Sequence, residues 1–216
     1  MSEQSPSLLG HVIAVCVADH DVDLPSIGAS AIDKRPQQGR VMVGAEGLVT
    51  DHVCDTKHHG GVDQAVYAYD HAEAHHWAAT LGRELPYGWF GENLRVTGLP
   101  VTDALVGEQW AIGDDGLLLE TTIPRTPCRT FAVWADETKW IKRFHDRGDV
   151  GTYLRVLRPG TVGAGDDIRV VHRPDHRVRV RHLITGTDAD SLRELLAIDD
   201  LAPKVRREAT KKLARA

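Results

Sequence analysis

A mainly β domain of barrel type, with interposed helices and a small helical part at its C-terminal end, is the fold that the sequence predicts. Three observations point there. Short runs rich in β-branched residues recur over residues 1–173, separated by glycine-bearing turns. Only one or two stretches in that part combine helical periodicity with caps. From Pro174 the character changes to helix-forming, basic sequence, so residues 174–216 are set apart as a small helical domain.

At 216 residues the chain is long enough to bury a full core. Hydrophobic content of 42% and charged content of 26% describe a folded globular protein and exclude a disordered one. A net charge of −5 argues against bulk nucleic-acid binding. No run reaches the ~18 apolar residues of a membrane span, and no basic region followed by an apolar core opens the chain. A cytoplasmic location is expected. Three cysteines, Cys16, Cys54 and Cys128, are too few for a secreted disulfide framework and lack the close pairing of a structural zinc site.

Residues 12–18 form an apolar run read as a buried strand, with Cys16 filling core. Residues 19–38 lack periodicity and are expected to be a long loop. Residues 40–43 and 47–54 read as strands about a glycine turn, and residues 65–69 as another. Asp70 and Glu73 have the spacing of a capping box; Ala74, Trp77, Ala78 and Leu81 then make the apolar stripe of a helix that Gly82 stops. His71 and His75 stand four apart on it, but without an HExxH pattern and on its polar face. Trp89 and Phe90 are core anchors. Residues 110–112 and 117–122 are strands joined by the hairpin turn Gly113-Asp114-Asp115-Gly116. Residues 136–147 read as one amphipathic helix, residues 152–157 and 168–172 as closing strands. In the tail, Asp188 and Pro203 can each open a helix, the second basic and best read as a solvated face. Val178, Val180 and His182 alternate like a strand although their position suits a short helix.

Three polar stretches stand out. Ile123-Pro124-Arg125-Thr126-Pro127-Cys128-Arg129 leaves a strand through two prolines, which cannot donate to a ladder, and presents a thiol between two guanidinium groups. Nearby positive charge favours thiolate over a thiol that ordinarily titrates near ~8.5. A thiolate there is a nucleophile or a soft metal ligand. Lys57-His58-His59-Gly60-Gly61-Val62-Asp63-Gln64 joins a double glycine, able to adopt positive φ, to groups suited to a polar or phosphorylated ligand. Glu92 and Asn93, after Phe90-Gly91, either line a site or satisfy loop backbone.

In this order and at these separations, the three stretches resemble the MOSC family, named for the C-terminal domain of molybdenum cofactor sulfurase. Residues 153–166 are similar to that family's closing strands. The helical tail resembles the three-helix domain of its stand-alone bacterial branch, linked to resistance to N-hydroxylated purines. The resemblance implies a distorted β-barrel holding the molybdenum cofactor (molybdopterin), with Cys128 as ligand to molybdenum. It further implies cofactor contacts from Lys57, His59, Gly60, Gly61, Glu92, Asn93, Arg125 and Arg129. His58 doubles the histidine, leaving open which imidazole faces the site.

The implied activity is reduction of N-hydroxylated compounds, hydroxylamino-purines or amidoximes among them, with Cys128, His59 and Lys57 as the catalytic set. His59 would deliver a proton, since an imidazole titrates near ~6.5. The partners implied are a small-molecule substrate and a separate flavin reductase as electron donor. Nucleic acid, membrane and pyridoxal phosphate are not expected, and a homodimer is left open. The rival readings are a non-redox carrier that holds cofactor or persulfide sulfur on Cys128, and a binding module without catalysis.

Overall fold

Burial with period two is what shapes the central sheet. In the computed structural model, which describes residues 9–56 and 60–215, Val66 and Ala68 point into the barrel while Tyr67 and Tyr69 of the same strand point outward. The strands are β1 (Leu9–Val17), β2 (Val22–Leu24), β3 (Gly28–Ser30), β4 (Arg35–Pro36), β5 (Val41–Gly44), β6 (Gly47–Leu48) and β7 (Val66–Asp70). They continue as β8 (Leu94–Thr97), β9 (Gln109–Ile112), β10 (Leu117–Pro124), β11 (Thr152–Arg158), β12 (Gly160–Val162) and β13 (Asp167–His172). The helices are α1 (His71–Leu81), α2 (Arg129–Ala135), α3 (Trp140–Arg147), α4 (His182–Thr185), α5 (Ala189–Leu196) and α6 (Pro203–Leu213).

The order β13-β9-β10-β11-β7-β8-β1 closes on itself through pairing of β1 with β13, a seven-strand barrel. Closure removes the free edges that invite aggregation. β7 and β8 pair in parallel, their connection running through α1. Register shifts between β1 and β8, β9 and β13, and β10 and β11 distort the cylinder. Trp110, Ile112, Leu117, Leu119 and Leu154 fill its interior, each such side chain contributing about 1.5–3 kcal/mol by leaving water. Outside, α1, α2 and α3 cover the outward face of β7 with an aromatic layer that includes Trp77, Phe90, Phe131, Trp140 and Phe144. The C-terminal helices bury Val178, Leu192, Leu195 and Val205 against Val106 and Ile123 of the barrel. No helix among the described residues is long and apolar enough to cross a membrane.

The caps act as their chemistry predicts. Asp70 Oδ1 accepts from the amides of Ala72 and Glu73, and Gly82 ends α1 in the left-handed region at φ 63°. Glu73 does not complete a reciprocal box; its carboxylate binds Arg147 of α3 instead. Elsewhere the sequence expectation is corrected. The loop expected over residues 19–38 contains the β2–β3 hairpin and the short edge strand β4. The strand expected over 47–54 stops at Leu48, because Asp51 turns away to accept from Ala18, Lys34 and Asn93. The helix expected over 136–147 begins only at Trp140, because Asp136 and Lys139 take φ of 52° and 54°; α2, just upstream, was not expected. Around Arg179 the chain is both things the sequence suggested, bridging Leu105 in extended form and then turning into α4.

Candidate functional site

β10 positions the thiol. Its last residue, Pro124, lies opposite Thr152, and after it the chain leaves the sheet until Cys128 becomes the N-cap residue of α2. Cys128 is partly exposed, belongs to no disulfide, and packs against the aromatic layer. The buried Cys16, by contrast, is core filling, its thiol pushed far up by burial.

The two arginines flanking the thiol go opposite ways. Arg129 Nη2 donates to the Ser26 hydroxyl at 2.9 Å on the surface, tying α2 to the β2–β3 hairpin. Arg125 turns inward and is 6% exposed. Its guanidinium carbon lies 3.8 Å from the centroid of the Phe131 ring and 5.4 Å from that of Tyr67. Burial works against its charge, but the polar groups of Tyr67, Tyr153 and Cys128 outweigh that and hold it above its ordinary value. No ion pair engages Arg125 among the described residues, and its Nη1, buried, has no hydrogen-bond partner. Arg95 shows the alternative: equally buried and also over aromatic rings, it is paired with Glu92. A buried charge left without a counter-charge is costly. Among the described residues no carboxylate supplies that counter-charge to Arg125.

Lys57, His58 and His59 lie outside the described residues. The turn after them is fixed beside β10. Gly60 and Gly61 take φ of 78° and 82°, and a single 3₁₀ turn, Val62–Gln64, follows. The Thr122 hydroxyl lies 2.7 Å from the Asp63 carbonyl and 3.0 Å from that of Tyr153. The turn that follows the double glycine is thus tied to the strand that leads to Cys128 through the Thr122 hydroxyl.

Glu92 and Asn93 form the wall behind. Glu92 is 0% exposed, accepts from the amides of Gly88 and Phe90 at 2.8 and 3.0 Å, and pairs with Arg95. Asn93 accepts from the Tyr67 amide at 3.1 Å and donates to the Cys16 carbonyl and Asp51. Their polar atoms are engaged within the protein, and Asn93 fixes the backbone of Tyr67, whose ring lies 5.4 Å from the Arg125 guanidinium.

Lys204 is a site neighbour that reading the sequence missed. Its amide donates to Asp63 Oδ2 at 2.7 Å, its ammonium donates to the Gly60 carbonyl at 3.1 Å, and the same ammonium contacts Gln64. Asp63 caps α6 from across the fold, since the helix's own N-cap, Ala202, has no side chain to do so. A lysine directly after the opening proline was the available signal, and it reads as surface charge until the partner is seen. Other charges of that helix also point inward, Arg206 to the carbonyls of Leu196 and Ile198 and Lys212 to that of Ile184.

These residues fit an anionic, sulfur-coordinated cofactor of the kind the sequence resemblance implies. Cys128 offers a soft ligand at a partly exposed position, and the buried, unpaired Nη1 of Arg125 offers charge and a donor beside it.

A family model described as the MOSC domain matches residues 55–169. YflK, an uncharacterized protein of Bacillus subtilis (strain 168), is 30% identical over 152 residues, covering 70% of this chain and 68% of that protein. A Gibberella moniliformis protein named Reductase is 32% identical over 148 residues; the match takes in 67% of this chain but 26% of that longer protein. Among solved structures, the crystal structure of YiiM from Geobacillus stearothermophilus superposes with a TM-score of 0.76 at 24% identity, covering 94% of this chain and 99% of that one. The barrel with its helices is thus the fold of that protein.

Proposed function

The chain belongs to the MOSC domain family, and from that premise we propose that it binds the molybdenum cofactor and reduces N-hydroxylated compounds such as hydroxylamino-purines and amidoximes. MOSC domains are associated with this cofactor, and a relative named as a reductase supports the redox reading. The observation that carries the proposal is the buried guanidinium of Arg125, unmatched by any carboxylate among the described residues and packed beside Cys128. When bound, the cofactor supplies the two electrons and the oxygen acceptor that N–O cleavage requires and that side chains lack.

Each residue has a part. Cys128 Sγ is the ligand to the metal. Arg125 balances the cofactor's negative charge, and Arg129 is positioned at the outer rim, where it can turn from Ser26 to an incoming phosphate. Gly60 and Gly61 allow close backbone approach, while Glu92 and Asn93 hold the wall that shapes the pocket. Lys57 is assigned to cofactor or substrate charge, and His59 to delivering a proton to the oxygen that leaves nitrogen. Electrons come from a separate flavin reductase.

The test is metal analysis and turnover on protein made in a molybdenum-competent host. Wild type should carry molybdenum and reduce a hydroxylamino-purine when supplied with a flavin reductase and its reductant. Cys128→Ser, with its melting temperature retained, should lose turnover while still taking up some cofactor through the remaining contacts. Molybdenum bound through Cys128 without turnover of any N-hydroxylated substrate would overturn the reductase assignment and leave a carrier. Full turnover in Cys128→Ser would overturn the site.

A further inference from the structure

Away from Cys128, three unlike ligand groups meet where the β2–β3 hairpin faces the segment entering the double-glycine turn. Asp21 stands just before β2, while His52 and Cys54 lie in the irregular run after β6. Asp21 Oδ1 is 2.6 Å from His52 Nε2, and the Cys54 thiol donates to the same oxygen at 3.3 Å. The ligand atoms of all three lie within 4.8 Å of one another, and all three residues are exposed. Asp21 lies more than thirty residues from His52 and Cys54, so no local motif announces the three together.

We propose that Asp21, His52 and Cys54 form a binding site for a borderline divalent cation of the zinc(II) type, with solvent completing its coordination. The donor set selects the class: one imidazole nitrogen, one sulfur and one carboxylate oxygen suit zinc, whereas magnesium and calcium take oxygen alone. Zinc bonds of about 2.0–2.3 Å set tetrahedral ligand atoms roughly 3.3–3.8 Å apart. The Asp21–Cys54 separation already meets this, and the Asp21–His52 contact has only to open by about 1 Å, within the reach of exposed side chains. Asp21 now accepts a hydrogen bond from Cys54 and shares one with His52; the cation takes the place of those protons, which binding releases. Lys34, the nearby ammonium, is engaged by Asp51 and does not occupy the position.

The cation would join two walls of the larger site without touching Cys128. Cys54 leads directly toward Gly60, and the hairpin beside Asp21 is the one that Arg129 grips through Ser26. The site stands on its own geometry and does not depend on what Cys128 binds. His71 and His75, with Nε2 atoms 3.1 Å apart, offer only a pair of ligands and serve as a control.

The full chain, stripped with chelator and freed of it, is titrated with cobalt(II) and then with competing zinc(II). A thiolate-to-cobalt charge-transfer band saturating at one ion per chain and displaced by zinc is expected. It should vanish in Cys54→Ser and persist in Cys128→Ser and His71→Ala. His52→Ala and Asp21→Asn should each weaken binding at least tenfold, since changes even outside a metal's first ligands typically cost about 10–100-fold. A band that survives Cys54→Ser, disappears in Cys128→Ser, or is indifferent to His52 and Asp21 would overturn the site. So would the absence of any thiolate band in wild type.

Discussion

Replacing Arg125 with methionine separates a charge waiting for a ligand from one that holds the fold. The guanidinium is 6% exposed, stacked 3.8 Å above Phe131, with a buried Nη1 that has no hydrogen-bond partner among the described residues. Removing an ion from water costs several kcal/mol even after the protein relaxes. Desolvated cation–π contact returns about 2 kcal/mol or more. The remainder is a net cost in cofactor-free protein, so an apolar chain of similar length should stabilise it by about 1–4 kcal/mol. For a chain of this size each kcal/mol moves the melting temperature by about 2–4 °C. Scanning calorimetry of cofactor-free Arg125→Met should therefore show a rise of at least about 2 °C, while the variant retains less molybdenum after purification. Arg95→Met is the control with the opposite sign. It strands Glu92, 0% exposed, and should cost about 3–5 kcal/mol. If Arg125→Met lowers the melting temperature as Arg95→Met does, the guanidinium has a partner inside the protein and the reasoning from unmatched charge is refuted.

Lys204→Ala should speed amide exchange at Val62–Gln64 and reduce molybdenum retention while leaving barrel strands protected, because it frees the Gly60 carbonyl and Gln64. Uniform loss of protection across the barrel would contradict that division. Gly88→Ala should destabilise the fold by about 1–3 kcal/mol in urea unfolding, since Gly88 holds φ +87° and an added Cβ would stand 2.1 Å from the Lys34 carbonyl oxygen. An unchanged midpoint would show that the backbone there is free to move. Asp188 caps α5 through Ser191, and its folded value is lowered from 3.8 to about 2. The cap is complete above that ordinary value and is lost as pH falls through about 2, so amide exchange in α5 should quicken across that window and not above it.

The barrel was legible because its signals are local. Alternation of Val66 and Ala68 with Tyr67 and Tyr69, the turn Gly113 to Gly116, and the caps at Asp70 and Asp188 are all written within a few residues. Helix α2 was hidden because it has no side-chain cap, opens one residue after Pro127-Cys128, and is held by burial of Phe131 in a layer assembled from distant segments. The β2–β3 hairpin has strands of three residues each, too short for a periodicity to be read. At the site, Arg125 beside Cys128 was visible in sequence. That Arg125 turns inward and Arg129 outward depends on tertiary packing, as does the engagement of Glu92 by Arg95 three residues on. Lys204 could not be separated from a solvated basic helix, since its partners Gly60 and Gln64 lie 140 or more positions away.

The central claim is that the Cys128 sulfur is bonded to molybdenum. X-ray absorption at the molybdenum edge of cofactor-loaded protein measures the metal's sulfur neighbours directly. Wild type should show one more sulfur than Cys128→Ser loaded with the same cofactor. Identical sulfur shells in the two proteins would contradict the claim.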